Sequence, residues 1–362
     1  MAEKEEPIRF GILGCAEIAR KLSRAIFLAP HAVLVAVGSR SLDKARRFIA
    51  DNALTLVGSV RAVGSYDAVL DDPTIDAVYV PLPTGLHLTW AVAAAERRKH
   101  VLLEKPAALC VSDLDRILEA CASNGVQFMD GSMWVHHPRT AKMREMISDS
   151  NRFGRVKTIH SSSSFLATPL FLENNIRVKP DLDSLGALGD LGWYCIGSIL
   201  WAVDYQLPNT VTALPSLHLN QAGIILSCAS SFHWEDGKVA TFHCSFLYHV
   251  SMDLSVQGAS GSLRVHDLAI PFREDSASFE FNCGAEFAEL HIGWTRKPEE
   301  VVVATSLPQE ALMVEEFAKQ VQLMRSSRCP PTAKWPDISR KTQLVLDAVK
   351  KSIETEFKPV FL

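Results

Sequence analysis

Ile8-Arg9-Phe10-Gly11-Ile12-Leu13-Gly14-Cys15-Ala16-Glu17-Ile18-Ala19 is the stretch whose reading decides the fold. Residues 8–13 read as a short buried strand. From Ala16 the apolar positions Ile18, Ala19, Leu22, Ile26 and Phe27 recur at helical spacing until Pro30 stops the pattern. The product is strand, tight glycine turn, helix. The turn is a variant of G-x-G-x-x-G, with Gly14 in the first place and Ala16 and Ala19 in the other two. Gly14 can take a positive φ, Ala16 lets a backbone N–H approach a pyrophosphate, and Ala19 permits close packing of helix on strand. Unpaired N–H groups at the helix start supply the anion affinity. Gly11, Gly14, Ala16, Glu17 and Ile18 are the candidate cofactor contacts here. Such turns are also common as plain structural turns; position at the amino end, opening a βαβ unit, favours the functional reading.

A second strand follows over 33–37, then Gly38-Ser39-Arg40, then a helix over 43–50. Dinucleotide folds that select NAD place a carboxylate about twenty residues after the turn, on the ribose hydroxyls, whereas an arginine accommodates a 2′-phosphate. No carboxylate stands at this strand end. Ser39, Arg40 and Lys44 are read as phosphate ligands, and NADP is preferred over NAD; the alternative is a solvated helix start.

Alternation continues with a weak strand at 61–63, a short helix at 66–70, a buried strand at 75–80, and a helix over 84–99 with Thr84 as its cap. A strand then runs into Glu104-Lys105-Pro106. Open α/β sheets bind ligands at the carboxyl ends of their strands. A lysine there, followed by a proline that fixes φ, is a presented side chain. A helix over 112–123, closed by Asn124-Gly125, and a strand at 126–129 complete six parallel strands.

The second half changes character. Residues 156–165, 211–219, 224–234, 238–248, 253–256 and 262–265 read as strands, interrupted by helical patterns only at 186–203, 309–324 and 338–355. Runs of strands with segregated helices predict a mostly antiparallel sheet covered on one face. The expected division is a doubly wound Rossmann domain over 1–131 and an α+β substrate domain over 132–362. Pro330-Pro331 and Trp335-Pro336 are expected as a surface connection, and the serines at 161–164 as a small-residue strand edge.

With 362 residues and 48% hydrophobic content, the chain can bury a large core. Its 37 basic and 41 acidic residues leave a net charge of −4, with no basic stripe for nucleic acid and no polybasic membrane anchor. Neither an apolar leader nor a run long enough to span a bilayer is present, and residues 2–7 read as an acidic tail, so a cytoplasmic protein is expected. The eight cysteines form no C-x-x-C, and neither a metal nor disulfides are expected. His136 and His137 are adjacent and have no third ligand nearby; they are read as lining the interdomain crossing.

The glycine turn, Pro83-Thr84-x-x-His87, Glu104-Lys105-Pro106 and Asp190-x-Gly192-x-Tyr194 come in the order and spacing of the glucose-fructose oxidoreductase, inositol dehydrogenase and rhizopine-catabolism family. The resemblance covers nearly the whole chain, because Gln257-Gly258-Ala259-Ser260-Gly261-Ser262-Leu263 is similar to that family's G-x-x-G strand. With Met133-Trp134 and the tyrosine, the chain most resembles the dimeric dihydrodiol dehydrogenase and NADP-linked xylose dehydrogenase branch. The resemblance implies a Lys-Asp-Tyr arrangement of Lys105, Asp190 and Tyr194 around the reactive hydroxyl, Pro83, Thr84, His87 and Glu104 among the cofactor contacts, and homodimers paired through the second-domain sheet. His87 can equally be a satisfied structural histidine, and Tyr194 a core tyrosine. Asp190 and Tyr194, four apart in a helical segment, share one face.

Hydride removal from a carbinol leaves a hydroxyl proton, which calls for an acid or base of suitable pKa. A tyrosine beside an ammonium has its phenolate favoured, and a desolvated lysine has its ammonium disfavoured. The expected activity is NADP-dependent redox chemistry on a secondary alcohol or carbonyl of a sugar, cyclic polyol or dihydrodiol. Alternatives are a catalytically silent cofactor-binding regulator on the same fold and, last, NAD-assisted glycoside cleavage. Two departures from the family pattern stand out. Val135 occupies the place where many members carry an arginine, and the usual triple glycine is reduced to Gly186; a narrower, less polar substrate pocket is expected.

Overall fold

The computed structural model describes residues 6–52, 54 and 59–362. Residues 2–5 of the acidic tail, and most of the loop expected ahead of the third strand, lie outside them. The chain divides into two compact units, Met1–His136 with Leu307–Arg340, and His137–Ser306 with Lys341–Leu362.

The first unit alternates β1 (Ile8–Leu13), α1 (Glu17–Leu28), β2 (Ala32–Gly38), α2 (Leu42–Asp51), β3 (Arg61–Val63), α3 (Tyr66–Leu70), β4 (Ala77–Val80), α4 (His87–Glu96), β5 (His100–Leu103), α5 (Val111–Ser123) and β6 (Phe128–Asp130). All six strands are parallel, in the order β3-β2-β1-β4-β5-β6 of a doubly wound Rossmann sheet. Strands covered on both faces need near-continuous apolar runs, and Ile8, Phe10, Ile12 and Leu13 are all solvent-free. Thr84 does not cap α4. A 3-10 turn over Thr84–Leu86 precedes that helix, and no side chain caps either element.

The second unit contains α6 (Pro138–Ile147), β7 (Val156–Leu166), α7 (Pro169–Asn174), a π-helical turn over Leu188–Gly192, α8 (Trp193–Ala202), β8 (Thr210–Ala213), β9 (His218–Leu219), β10 (Ile225–His233), β11 (Val239–Ser245), β12 (Leu247–Gly258), β13 (Gly261–Val265), β14 (Ser276–Cys283) and β15 (Glu299–Ala304). After these come α9 (Gln309–Ser327), α10 (Lys334–Glu354) and β16 (Val360–Phe361). The sheet has ten strands in the order β15-β14-β13-β12-β7-β11-β10-β8-β16, with β9 beside β10; only β7 and β11 run parallel.

Several sequence expectations are corrected here. The serines of β7 lie mid-sheet, between β12 and β11, with Ser161, Ser163 and Ser164 buried. Small side chains there leave room for α8, whose Ser198 meets Ser161 at 3.1 Å. The strand expected over 211–219 is two, β8 and β9, and 253–256 is one part of the long β12. Residues 307–340 join the first unit rather than the second. Ala311, Met313, Val314, Phe317, Ala318 and Val321 of α9 bury themselves in the cluster built on Phe10 and Ile12. Trp335 and Pro336 sit in the first turn of α10, where a proline is tolerated, and Trp335 is 4% exposed rather than part of a surface connection.

Candidate active site

The glycine turn sits at the carboxyl end of β1. Gly14 has φ +115°, and a Cβ there would come within 3.0 Å of the Leu82 side chain, so turn and packing both require glycine. Gly11 lies inside β1, where a Cβ would meet a Val69 methyl at 2.6 Å; its role is helix-to-strand packing. Ala16 stands at the N-cap of α1 with an extended backbone and no side-chain cap, so no side chain competes for the N–H groups of Glu17 and Ile18. Ala19 is fully buried, as close packing requires. An uncapped helix start behind a cradle too tight for a side chain fits a dinucleotide pyrophosphate.

At the end of β2, Ser39 is buried and donates its N–H to Val63 O at 3.0 Å, while Arg40 and Lys44 are exposed. Ser41 caps α2 by accepting from Lys44 N–H at 3.3 Å. Tyr66, which the sequence reading did not single out, joins this group. Burial raises its phenol's pKa, and Arg40, hydrogen-bonded to it, acts in the opposite direction. Its ring packs edge-on against Trp90 at 4.9 Å. Its one sequence signal was its place at the head of the short helix after β3.

Lys105 follows β5 at the same carboxyl edge of the sheet as the Gly14 turn, and is partly exposed. Glu104 beside it is 7% exposed, accepting from the Tyr79 hydroxyl and, at 3.1 Å, from the Lys105 N–H. The Lys105–Pro106 peptide is cis. His87 is 1% exposed, with Nε2 2.8 Å from Leu82 O and Nδ1 3.2 Å from Ala107 O. Burial pushes its pKa down while the carbonyls facing the ring push it up, and the ring lies between the loop after β4 and the loop after Lys105. Pro83 and the buried Thr84 lie in that first loop. Val135 packs against the apolar core of this unit.

In the second unit, Gly186 has φ +58° and a Cβ there would fall 2.1 Å from Ile225 O, so this glycine is the one the fold demands. It leads into the π-helical turn that carries Asp190, which is 8% exposed; Tyr194 follows in α8 and is partly exposed. The turn is π-helical rather than the α-helix assumed in the sequence, which alters the angular offset of Asp190 from Tyr194. Arg177, missed in the sequence because no periodicity links it to Asp190, forms an ion pair with it, Nε lying 2.9 Å from Asp190 Oδ1. Asp190 holds the guanidinium firmly protonated against burial, with Asp183 and Tyr194 acting in the same direction. His137 caps α6, accepting at Nδ1 from Arg139 N–H at 2.9 Å, whereas His136 belongs to the first unit and packs on Trp335.

Residues 8–132 match the family described as "Oxidoreductase family, NAD-binding Rossmann fold", and residues 140–264 match the "GFO/IDH/MocA C-terminal domain". The chain is similar to D-xylose 1-dehydrogenase (NADP(+)) 2 of Haloferax volcanii, 29% identical over 352 residues, which are 96% of this chain and 97% of that one. It is likewise similar to dTDP-3,4-didehydro-2,6-dideoxy-alpha-D-glucose 3-reductase of Saccharopolyspora spinosa, 31% identical over 262 residues, 72% and 75% of the two chains. Its fold matches that of KijD10, a 3-ketoreductase from Actinomadura kijaniata solved with NADP and TDP-benzene. The TM-score is 0.80 at 24% identity, covering 96% of this chain and 98% of that one. With both domains matched, the chain belongs to the GFO/IDH/MocA family of oxidoreductases.

Proposed function

We propose that this protein is an NADP-dependent oxidoreductase acting on a secondary alcohol, or the corresponding carbonyl, of a sugar, cyclic polyol or dihydrodiol. The observation that carries this reading is the presence of Lys105 at the same carboxyl sheet edge as the Gly14 turn and the uncapped start of α1. The relatives' names, a xylose dehydrogenase and a ketosugar reductase, support the substrate class. When bound, the nicotinamide cofactor accepts or donates the hydride.

This chain's own residues hold that cofactor and manage the proton. The N–H groups opening α1, with Gly14 and Ala16, hold the pyrophosphate; Ser39, Arg40 and Lys44 hold the 2′-phosphate. Pro83, Thr84 and His87 shape the loop that receives the nicotinamide end, and Glu104 anchors the backbone beside Lys105. Tyr194 moves the proton at the substrate oxygen, Lys105 favours its ionised form by charge, and Asp190 orients the substrate by accepting a hydroxyl hydrogen bond.

The protein is cytoplasmic and homodimeric, pairing through the open face of the second-unit sheet. Small polar residues such as Thr158, Thr241 and Ser255 on the sheet face support a docking role, and sedimentation velocity tests the dimer. Among the described residues no helix is long and apolar enough to cross a membrane.

A panel of aldoses, ketosugars, inositols and dihydrodiols, followed by NADPH absorbance in both directions, tests the function. Turnover with any member is the expected result. Cofactor binding without turnover across the panel overturns it.

A further inference from the structure

Arg177 is held with more care than a surface cation needs. Asn175 caps the short 3-10 turn over Ile176–Val178, and its Oδ1 accepts from the Arg177 N–H at 3.0 Å and from Nη1 at 3.4 Å. Asn220 donates to Val178 O at 3.1 Å, pinning the turn from a second segment. Asp190, the partner of Arg177, lies within the π-helical turn that Gly186 introduces.

A second arginine in the same unit shows what a fold-locking pair looks like. Arg139 is 1% exposed and its terminal nitrogens bond Asp267 and the carbonyls of Asp267, Leu268 and Ser278. Its guanidinium is spent on the scaffold. Arg177 differs: its side chain is 35% accessible, its ion pair with Asp190 has Nε 2.9 Å from Oδ1, and Nη1 reaches only Asn175 Oδ1, at 3.4 Å. A guanidinium held in place by its own turn and paired with a carboxylate fixes where that carboxylate points. Charge near it comes from Asp183, Asp190 and Tyr194, the two last being the groups assigned to the chemistry.

We infer that Arg177 is a positioning residue for the reaction: by clamping Asp190 it keeps that carboxylate aimed to accept the substrate hydroxyl beside Tyr194. The inference rests on the roles given to Asp190 and Tyr194 under the proposed function. A misplacement of a substrate-orienting group by about 1 Å can cost about a hundredfold in rate without disturbing the fold. Loss of the clamp therefore falls on turnover rather than on cofactor affinity, because the NADP contacts lie in the other unit.

The test is the Arg177→Gln variant of the full-length protein, with the substrate found by the NADPH screen. The expected result is a fall in kcat of about ten- to a hundredfold, with the Kd for NADP unchanged. Asp190→Asn should show a comparable loss. The double variant should be scarcely slower than the poorer single one, since removing the carboxylate already removes what Arg177 holds. Adding methylguanidinium to Arg177→Ala should restore part of the rate, which a purely structural role would not allow. Parental turnover by Arg177→Gln, or losses that multiply fully in the double variant, overturn the inference. Should Arg177→Gln fail to fold, Arg177→Lys carries the test: it keeps the charge but not the planar Nε contact, and parental kcat there overturns the inference equally. The underlying reading fails separately, and visibly, if Tyr194→Phe and Asp190→Asn both turn over at the parental rate.

Discussion

Tyr79 in β4 donates its hydroxyl hydrogen to the Glu104 carboxylate just beyond β5, joining neighbouring strands directly beneath Lys105. Tyr79 is solvent-free, Glu104 is 7% exposed, and the second carboxylate oxygen takes the Lys105 N–H. Glu104, read in the sequence as a cofactor contact, is thereby tied into the sheet. Deleting the phenol oxygen leaves a buried carboxyl oxygen without this donor at little change of shape. Tyr79→Phe should destabilise the protein by about 1.5–3 kcal/mol in urea unfolding, with NADP affinity nearly intact. An unchanged midpoint would remove the strut from the account of this site.

The proposed 2′-phosphate contact at Arg40 is open to a direct test. It stands exposed at the end of β2 beside the Tyr66 hydroxyl, with no carboxylate at that strand end to receive ribose hydroxyls. Arg40→Ala should weaken NADP several-fold to about a hundredfold, or about 1–3 kcal/mol, while leaving NAD nearly unchanged. Equal losses for both cofactors in a fluorescence titration would show that Arg40 does not read the 2′-phosphate.

The first unit was legible in the sequence because its signals are local. Buried parallel strands are unbroken apolar runs, and Gly14, Pro30 and Gly125 mark where they and their helices stop. Where the packing partner is remote, the same pattern says less. The apolar stripe of α9 announces a buried face but not that Phe10 is what it meets, so the helix was given to the wrong unit. Helix α6 was missed for a related reason: its first turn buries Arg139 and Thr140, the arginine satisfied by Asp267 on a distant segment, so its apolar period is confined to Met143, Met146 and Ile147. The candidate site divides likewise. Lys105 and the Gly14 turn could be read from strand ends, whereas Arg177 and Asp190 are linked by an ion pair that no spacing rule anticipates.

Acid sensitivity should trace in part to His136. Its ring packs on Trp335 with centroids 4.7 Å apart and the planes tilted by 34°, and among the described residues its Nε2, shut off from water, has no hydrogen-bond partner. Burial, helped by the Lys334 charge, pushes its pKa down to about 3. In the unfolded chain it titrates near pH 6.5, so below that pH the unfolded state binds a proton that the folded state refuses. Stability contributed by the neutral ring is present above about pH 6.5 and is lost progressively as pH falls toward 3. His136→Phe keeps the packing surface and removes the titration. It should flatten the decline of stability across this window by at most about 1.4 kcal/mol per pH unit. Parallel curves for the variant and its parent, measured as Tm against pH, would assign the decline to other groups.

The proton chemistry is tested most directly at Lys105. Lys105→Met keeps much of the stem's length and apolar surface but removes the charge, so folding and NADP affinity should survive while kcat falls by at least about a hundredfold. Tyr194→Phe deletes one hydroxyl from the second unit with little change of shape. If both residues serve the same proton, each single loss already disables the relay, and the double variant should be scarcely worse than the poorer single one. Fully multiplicative losses would mean that the two residues act independently. A silent Tyr194→Phe would move the proton donor elsewhere. His87 is poorly placed to inherit that role, because a buried imidazole with a carbonyl oxygen against each ring nitrogen would have to release one before it could exchange a proton with substrate.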